Sequence, residues 1–268
     1  MDVEKDDIQT GLDQAFLNMD GAPGEDALRL RFFDRLADST LFLMLSEEAK
    51  GDNLSPELFE IADGRFVLVF DTEDRLAQFA DRIVPYAAIS GRVLARMLDG
   101  EGIGLGLNLD VAPSSTLIPA EAMTWLDTTL GSAPEEVEEH VVAVERPAGL
   151  PETVLAALGD KLTAAPGLAQ SAFVVSVRYA GGRRGHMLAF VGAAEAAQSA
   201  LAKAAGEALT FSGIEAGAMD VGFFAPDDPM VQRLSAFGLR FDIPELPKAG
   251  NPGPMAPGRD PDSPPKLR

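Results

Sequence analysis

The stretch from Phe66 to Leu126 constrains the fold of this chain more than any other, because strand and helix signals alternate there without a break. The apolar run Phe66 to Phe70 predicts a buried β-strand, and the pair Asp71-Thr72 supplies the cap of an acidic helix. Residues Gly102 to Asn108 predict a further strand, and a helix begins near Pro119, since proline favours the first helical turn. This order predicts a mixed sheet with helices between its strands.

Glycine stands at every second position from Gly102 through Gly104 to Gly106, which superficially suggests a dinucleotide-binding loop. That loop requires a helix that opens inside the glycine run, whereas here the alternation continues for the length of a strand. Glycines on one face of a strand leave that face bare. We therefore expect close packing of another backbone or helix there, ahead of ligand approach and well ahead of a nucleotide loop.

The rest of the first half carries shorter signals of the same two kinds. Asp63-Gly64 marks a hairpin turn, since such pairs favour two-residue hairpin loops. Helical spacing or capping residues predict three further helices, and short apolar runs predict strands. The predicted helices are Asp13 to Met19, Glu25 to Leu36 and Arg92 to Leu98, and the predicted strands are Leu41 to Leu45, Leu58 to Ile61 and Tyr86 to Ile89.

The second half shows a regular rhythm that predicts βαββαβ, the ferredoxin-like order. Its predicted elements are strand Val141 to Val144, helix Pro151 to Leu162, strands Phe173 to Tyr179 and Met187 to Val191, helix Ala194 to Leu209 and strand Met219 to Phe224. A helix from Pro229 to Phe237 and a strand from Arg240 to Ile243 follow. The chain is therefore predicted to be α+β, with two mixed α/β-sheet domains.

Changes in composition place the domain boundaries. The acidic stretch 131–139 after Gly131 predicts a linker between domains at 1–130 and 140–247. From Pro244 onward prolines and glycines dominate, so 248–268 is predicted to be a disordered, extended tail.

Three motifs give the first half a resemblance to the N-terminal domain of the SseB family. They are Phe70-Asp71-Thr72-Glu73, Gly104-Leu105-Gly106-Leu107-Asn108 and Ile118-Pro119, and the similar region covers about 27–130. The second half is more weakly similar to the C-terminal domain of that family. The resemblance implies a fold, and it carries no catalytic residues to positions of this chain.

The net charge of −20 excludes several partner classes. A field of that sign repels phosphate backbones and anionic headgroups, so we expect neither nucleic acid nor a membrane surface as a partner. Basic proteins or metal cations would be attracted. The chain has no cysteine and no apolar run long enough to span a membrane, and Met1 to Asp7 lack the pattern of a secretory signal. We therefore expect a cytoplasmic protein.

Side chains suited to catalysis or metal binding are few. The two histidines, His140 and His186, lie far apart, and no Gly-x-Ser-x-Gly motif accompanies them. The acidic residues after Phe70 fit helix capping and the helix dipole better than a Ca²⁺ loop. We predict no catalytic, cofactor-binding or metal-binding residues. Trp125, the only tryptophan, is expected in the core, with a binding-surface anchor as the alternative.

Two basic groups are candidate interaction residues. Arg183 and Arg184 follow the Gly181-Gly182 turn, where they either pair with the protein's own carboxylates, the favoured interpretation, or bind an anionic partner. The second group is Arg259, Lys266, Leu267 and Arg268 in a tail of net charge +2. Prolines would keep this tail extended, so it is either a recognition segment for an acidic surface or a passive end.

These features favour a non-catalytic cytosolic interaction or regulatory protein with an unidentified protein partner. A small-metabolite sensor, with an amino acid as one ligand class, is the alternative, by analogy with ferredoxin-like modules. An unrecognised carboxylate-based enzyme is the third hypothesis.

Overall fold

The computed structural model describes residues 10–49, 53–61, 64–132, 139–215 and 218–246. Within these ranges the chain forms eight helices and eleven strands in two mixed sheets, which confirms the α+β class. The predicted tail, 248–268, lies outside the described residues, as does most of the predicted linker.

The first half contains five helices and six strands. The helices are α1 (Gly11–Asp20), α2 (Asp26–Asp38), α3 (Glu73–Ala80), α4 (Gly91–Leu98) and α5 (Ala120–Gly131). The strands are β1 (Thr40–Met44), β2 (Leu58–Ile61), β3 (Gly64–Phe70), β4 (Tyr86–Ser90), β5 (Ile103–Leu107) and β6 (Thr116–Ile118). All the predicted elements of this half are confirmed within a few residues, and β6 is an addition to them.

The strands of the first sheet are ordered β4-β1-β3-β5-β6, with β2 paired to the other end of β3. The β3–β5 pair is parallel and the other pairs are antiparallel. One face, with Leu43, Val69 and Leu107, packs against α1, α2, α4 and α5. The opposite face, with Leu68 and Phe70, is covered by α3, so each strand alternates between two cores.

The glycines of β5 allow the neighbouring strand to fill the space beside them. A Cβ on Gly104 would stand 2.5 Å from the ring of Phe66 and 2.6 Å from the Ile118 carbonyl, and a Cβ on Gly106 would stand 2.5 Å from Leu68. Close packing is therefore confirmed, although the groups that approach are mainly the side chains of β3.

The second half contains three helices and five strands. They follow in the order β7 (Val141–Glu145), α6 (Glu152–Thr163), β8 (Ser171–Tyr179), β9 (Arg184–Val191), α7 (Glu195–Thr210), β10 (Met219–Phe224), α8 (Met230–Phe237) and β11 (Leu239–Asp242). The predicted order of elements is confirmed. Helices α6 and α7 cover one face of the sheet, and α8 covers the other.

The ferredoxin-like assignment of this half is wrong at the level of strand order. In a ferredoxin-like sheet the first strand lies between the third and the fourth, whereas here β10, β9 and β8 are consecutive and β7 pairs with β8 at the edge. Strand β7 is short, bulged and partly exposed, with Val142 in solvent, so it lacks the apolar faces that a central strand needs. The fold analogy behind the metabolite-sensor alternative loses its basis.

Candidate functional site

A buried polar cluster joins α1 to α3 in the first half. Arg75 donates to both Asp13 oxygens, at 3.2 and 2.5 Å, and to Asp71 Oδ1 at 2.7 Å. Ser114 donates to Asp13 at 2.5 Å, and Asn108 donates to Ser114 at 2.8 Å. We call these five residues the Arg75 cluster. Thr72, not Asp71, caps α3, because its hydroxyl accepts from the Arg75 amide.

The Arg75 cluster holds its charges permanently. Burial alone would raise the pKa of Asp13, but hydrogen bonds from Arg75 and Ser114 outweigh it and lower that pKa. The pKa of Arg75 is raised because the two aspartates more than offset its own burial. Asp13 therefore stays ionised while it accepts hydrogen bonds from Arg75 and Ser114, and this pairing fixes α1 against α3.

A second cluster lies between the two halves of the chain. Lys161 of α6 donates to Asp38 at 2.5 Å and to Glu207 at 3.4 Å, and its Nζ lies 2.6 Å from Asp34 Oδ1. Arg92 of α4 binds Glu207 through two hydrogen bonds of 3.0 and 3.1 Å and also contacts Asp38. We call these five residues the junction cluster.

Burial and charge act in opposite directions within the junction cluster. The pKa of Asp34 is raised, because its burial outweighs the attraction of Lys161. Burial would also raise the pKa of Asp38, yet Lys161 and Arg92 lower it. Burial opposes the charge of Lys161, but the aspartates outweigh it and raise the pKa of that amine. Lys161 is therefore held as an ammonium ion.

Aromatic side chains continue the junction beside these charges. Phe211, at the end of α7, is buried within the core of the first half. Its ring centroid lies 6.3 Å from that of Trp125, which in turn lies 5.2 Å from Phe33 of α2. Trp125 keeps 39% of its surface exposed, so it lies at the border of the core.

The predicted basic tip lies on the β8–β9 hairpin, where the favoured interpretation is confirmed for Arg183. This side chain contacts Glu139, binds Asp220 at 3.0 Å and lies 4.2 Å above the Tyr179 ring. Tyr179 also donates to Asp220 at 2.6 Å, and its pKa is raised by burial and by that bond. Arg184 is exposed and has no ionic partner among the described residues.

The remaining candidates are dispersed. His186 Nε2 contacts the Ala148 carbonyl at 2.9 Å, and His140 is exposed before β7. Across the described ranges no three His, Asp or Glu side chains group as metal ligands, and no helix is long and apolar enough to cross a membrane. Arg259 and Lys266 to Arg268 lie outside the described residues.

Sequence reasoning missed both ionic clusters. Most of their contacts join residues 37–127 positions apart, although Arg75 is four positions from Asp71 and Asn108 is six from Ser114. A local signal existed for Lys161, which stands seven positions after Val154 on the buried stripe of α6. A cation on such a stripe needs a buried partner.

Comparison with protein families identifies one part of the chain. Residues 16–125 match the family model described as SseB protein N-terminal domain. The resemblance expected over 27–130 is confirmed, with both ends shifted toward the N-terminus. No curated protein and no solved structure matches the chain significantly. The resemblance of the second half to the family's C-terminal domain stays a prediction.

Proposed function

We propose that this chain is a non-catalytic, cytosolic interaction or regulatory protein whose partner is another protein. The observation that carries the proposal is the internal pairing of its buried ionisable groups. Nucleophilic or basic lysines require a lowered pKa, whereas the carboxylates around Lys161 raise its pKa. Asp13 and Arg75 neutralise each other in the same way. The groups best placed for chemistry are thus used to join helices.

The remaining charged surface indicates where a partner would bind. Arg183 is neutralised by Glu139 and Asp220, but Arg184 stands exposed beside Arg178 in the β8–β9 register. On a chain of net charge −20, such arginines would contact carboxylates of a partner. We propose the same role for the tail cations Arg259, Lys266 and Arg268, with Leu267 as an apolar anchor among them.

Quantitative affinity capture from cell lysate tests this proposal. The intact chain is compared with Arg184→Gln, with the double variant Lys266→Gln and Arg268→Gln, and with Arg31→Gln, an exposed control on α2. We expect the same proteins with the intact chain and the control, and at least a fivefold loss of one of them with the other variants. Identical capture by all four, or turnover of a substrate that Lys161→Met abolishes, would refute the proposal.

A further inference from the structure

A groove of about 430 Å³ opens at the edge of the second sheet, where β7 ends and β11 begins. Leu150, Leu155, Phe237 and Leu239 line it, with Arg146 at one side. Phe237 is 44% exposed and Leu239 is 41% exposed, so two large apolar side chains border the groove in water. Apolar surface gathered around a concavity is typical of a binding site.

The groove exists because two short strands share one edge of β8. Glu145, the last residue of β7, pairs with Ser176, and Leu239, the first residue of β11, pairs with Val174. Between these two pairs, β7 has ended and β11 has not yet begun, so this part of the β8 edge has no strand beside it. Gly238 allows this closeness, since a Cβ there would stand 2.6 Å from the Leu234 carbonyl and 3.0 Å from Phe173.

The described chain ends within reach of the groove. The Gly167 amide donates to the Pro244 carbonyl at 2.8 Å, and Leu246 packs over Gly167. This contact lies beyond the C-terminal end of α6, whose N-terminal turn carries Leu155 into the groove. Leu155 lies eight residues before the end of α6, ~12 Å along the helix, and Gly167 lies four residues beyond that end, so on the order of 15–20 Å separates Leu246 from the groove.

The sequence after Leu246 contains an apolar, proline-flanked segment that is close enough along the chain to reach the apolar groove. Pro254-Met255-Ala256-Pro257 has the P-x-x-P spacing of segments that dock on aromatic-lined grooves. Met255 follows Leu246 by about nine residues, which span ~28 Å in the extended form that prolines favour. Residues 248–268 carry four basic and two acidic residues, and the charged residue that lines the groove, Arg146, is itself basic, so the tether and apolar contact, not charge, favour docking.

We propose that residues 254–257 occupy this groove in their own chain, with Met255 against Phe237. A thioether beside an aromatic ring is a favourable contact, and the short tether gives the segment a high effective concentration. The proposal goes beyond the function proposed above, because an intramolecular contact needs no partner. It also places the C-terminal segment on an apolar surface of the second half instead of on the acidic residues of the first.

Disulfide trapping tests this contact in the full chain, which contains no cysteine of its own. The test variant combines Ala236→Cys, at the groove, with Ala256→Cys. The control combines Ala156→Cys with the same Ala256→Cys. Ala156 is exposed and directly follows Leu155 on α6, so it lies beside the groove along the helix but points ~100° away from it. Every substitution replaces an alanine, and Phe237 and Met255 are retained.

We expect the Ala236–Ala256 pair to form its intramolecular disulfide at least ten times faster than the control pair, as measured by mass spectrometry of dilute oxidised protein. Adding Met255→Asp to the test variant should remove this advantage. Equal rates in the two pairs, or an advantage that survives Met255→Asp, would overturn the proposal. Predominant disulfide-linked dimers of the single variant Ala236→Cys would assign the groove to a second copy of the chain instead.

Discussion

Replacement of Lys161 by methionine tests whether the junction cluster stabilises the protein. The ammonium group contacts three carboxylates at 2.5–3.4 Å, and its side chain is only 7% exposed. Methionine keeps the apolar stem of the side chain and much of its volume, so the buried face of α6 that includes Val154 and Leu158 stays filled. The substitution therefore removes mainly the charge.

The expected cost follows from the charges that remain. Without Lys161, Asp38 and Glu207 keep Arg92, whereas Asp34 loses the cation that it contacts among the described residues. Removal of one partner from a buried ion pair costs about 3–5 kcal/mol. We expect a loss of that size in the free energy of unfolding of Lys161→Met at pH 7.

The pH dependence of this loss has a definite sign. In the native protein the pKa of Asp38 is lowered, so its contribution to stability is present at neutral pH and is lost as the pH falls through that pKa. Without Lys161, burial is less opposed, and the pKa of Asp38 rises in the folded state. The stability difference between the two proteins should therefore shrink as the pH approaches about 4.

Asp34→Asn provides the second corner of a double-mutant cycle. Burial already raises the pKa of Asp34, so its ionised form is disfavoured even beside Lys161. In the Lys161→Met background we expect this substitution to recover about 1–2 kcal/mol, because it removes a carboxylate that has lost its cation. In the parent protein the same substitution should bring no gain of that size.

Urea unfolding followed by tryptophan fluorescence measures these energies. Trp125 is the only tryptophan, and it contacts Phe33 of the first half and Phe211 of the second, so it reports on the junction itself. Lys203→Met, on the neighbouring helix α7, is the matched control. Lys203 is half-buried and has no ion pair among the described residues, so we expect a change within about 0.5 kcal/mol. A loss below about 1 kcal/mol for Lys161→Met, or strict additivity with Asp34→Asn, would refute the reasoning.

Three further outcomes are expected. Gly104→Ala should lower the free energy of unfolding by about 1–3 kcal/mol, because the added methyl group meets a phenyl ring and a carbonyl, whereas Gly131→Ala, which has open space, should change it little in the same urea titration. Asp13→Asn should lower the free energy of unfolding by about 3–5 kcal/mol at pH 7. Because the pKa of Asp13 is lowered in the folded state, its carboxylate stabilises the protein at neutral pH and this contribution is lost in acid, so the variant should lose less stability as the pH falls. A cost equal to that of the exposed control Asp26→Asn would contradict this. Limited proteolysis should cut within 133–139 and give fragments that elute together in gel filtration, because the junction cluster joins the halves, and separate elution would argue against that junction.

Local signals were sufficient for most of the elements. The apolar run of β3, the Thr72 cap of α3 and the alternating glycines of β5 each depend on neighbouring residues, and each predicted its element correctly. Strand order in the second half depends on long-range pairing. The βαββαβ sequence is compatible with several orders, and the apolar sequence of β7 does not reveal the partly exposed edge position that this strand takes.

The candidate site was harder to predict than the fold, because its members converge from distant elements. Arg75 and Lys161 both stand next to leucines on amphipathic helices, where a cation interrupts the apolar stripe. Such an interruption indicates that the cation has a buried partner, but it does not identify that partner. The partners of Lys161 come from α2 and α7, and only the packing of the two halves brings them together.

The boundary of the family match has a structural meaning in this chain. The match ends at residue 125, and Trp125 is the residue whose ring faces Phe211 across the junction. Phe211 is 1% exposed and belongs to the core of the first half, although it lies at the end of α7 in the second half. Asp38 and Arg92, which pair with each other, also bind Lys161 of α6 and Glu207 of α7 respectively. The region that matches the SseB N-terminal domain therefore shares its core with the segment that follows it, and the second half completes the packing of α2, α4 and α5.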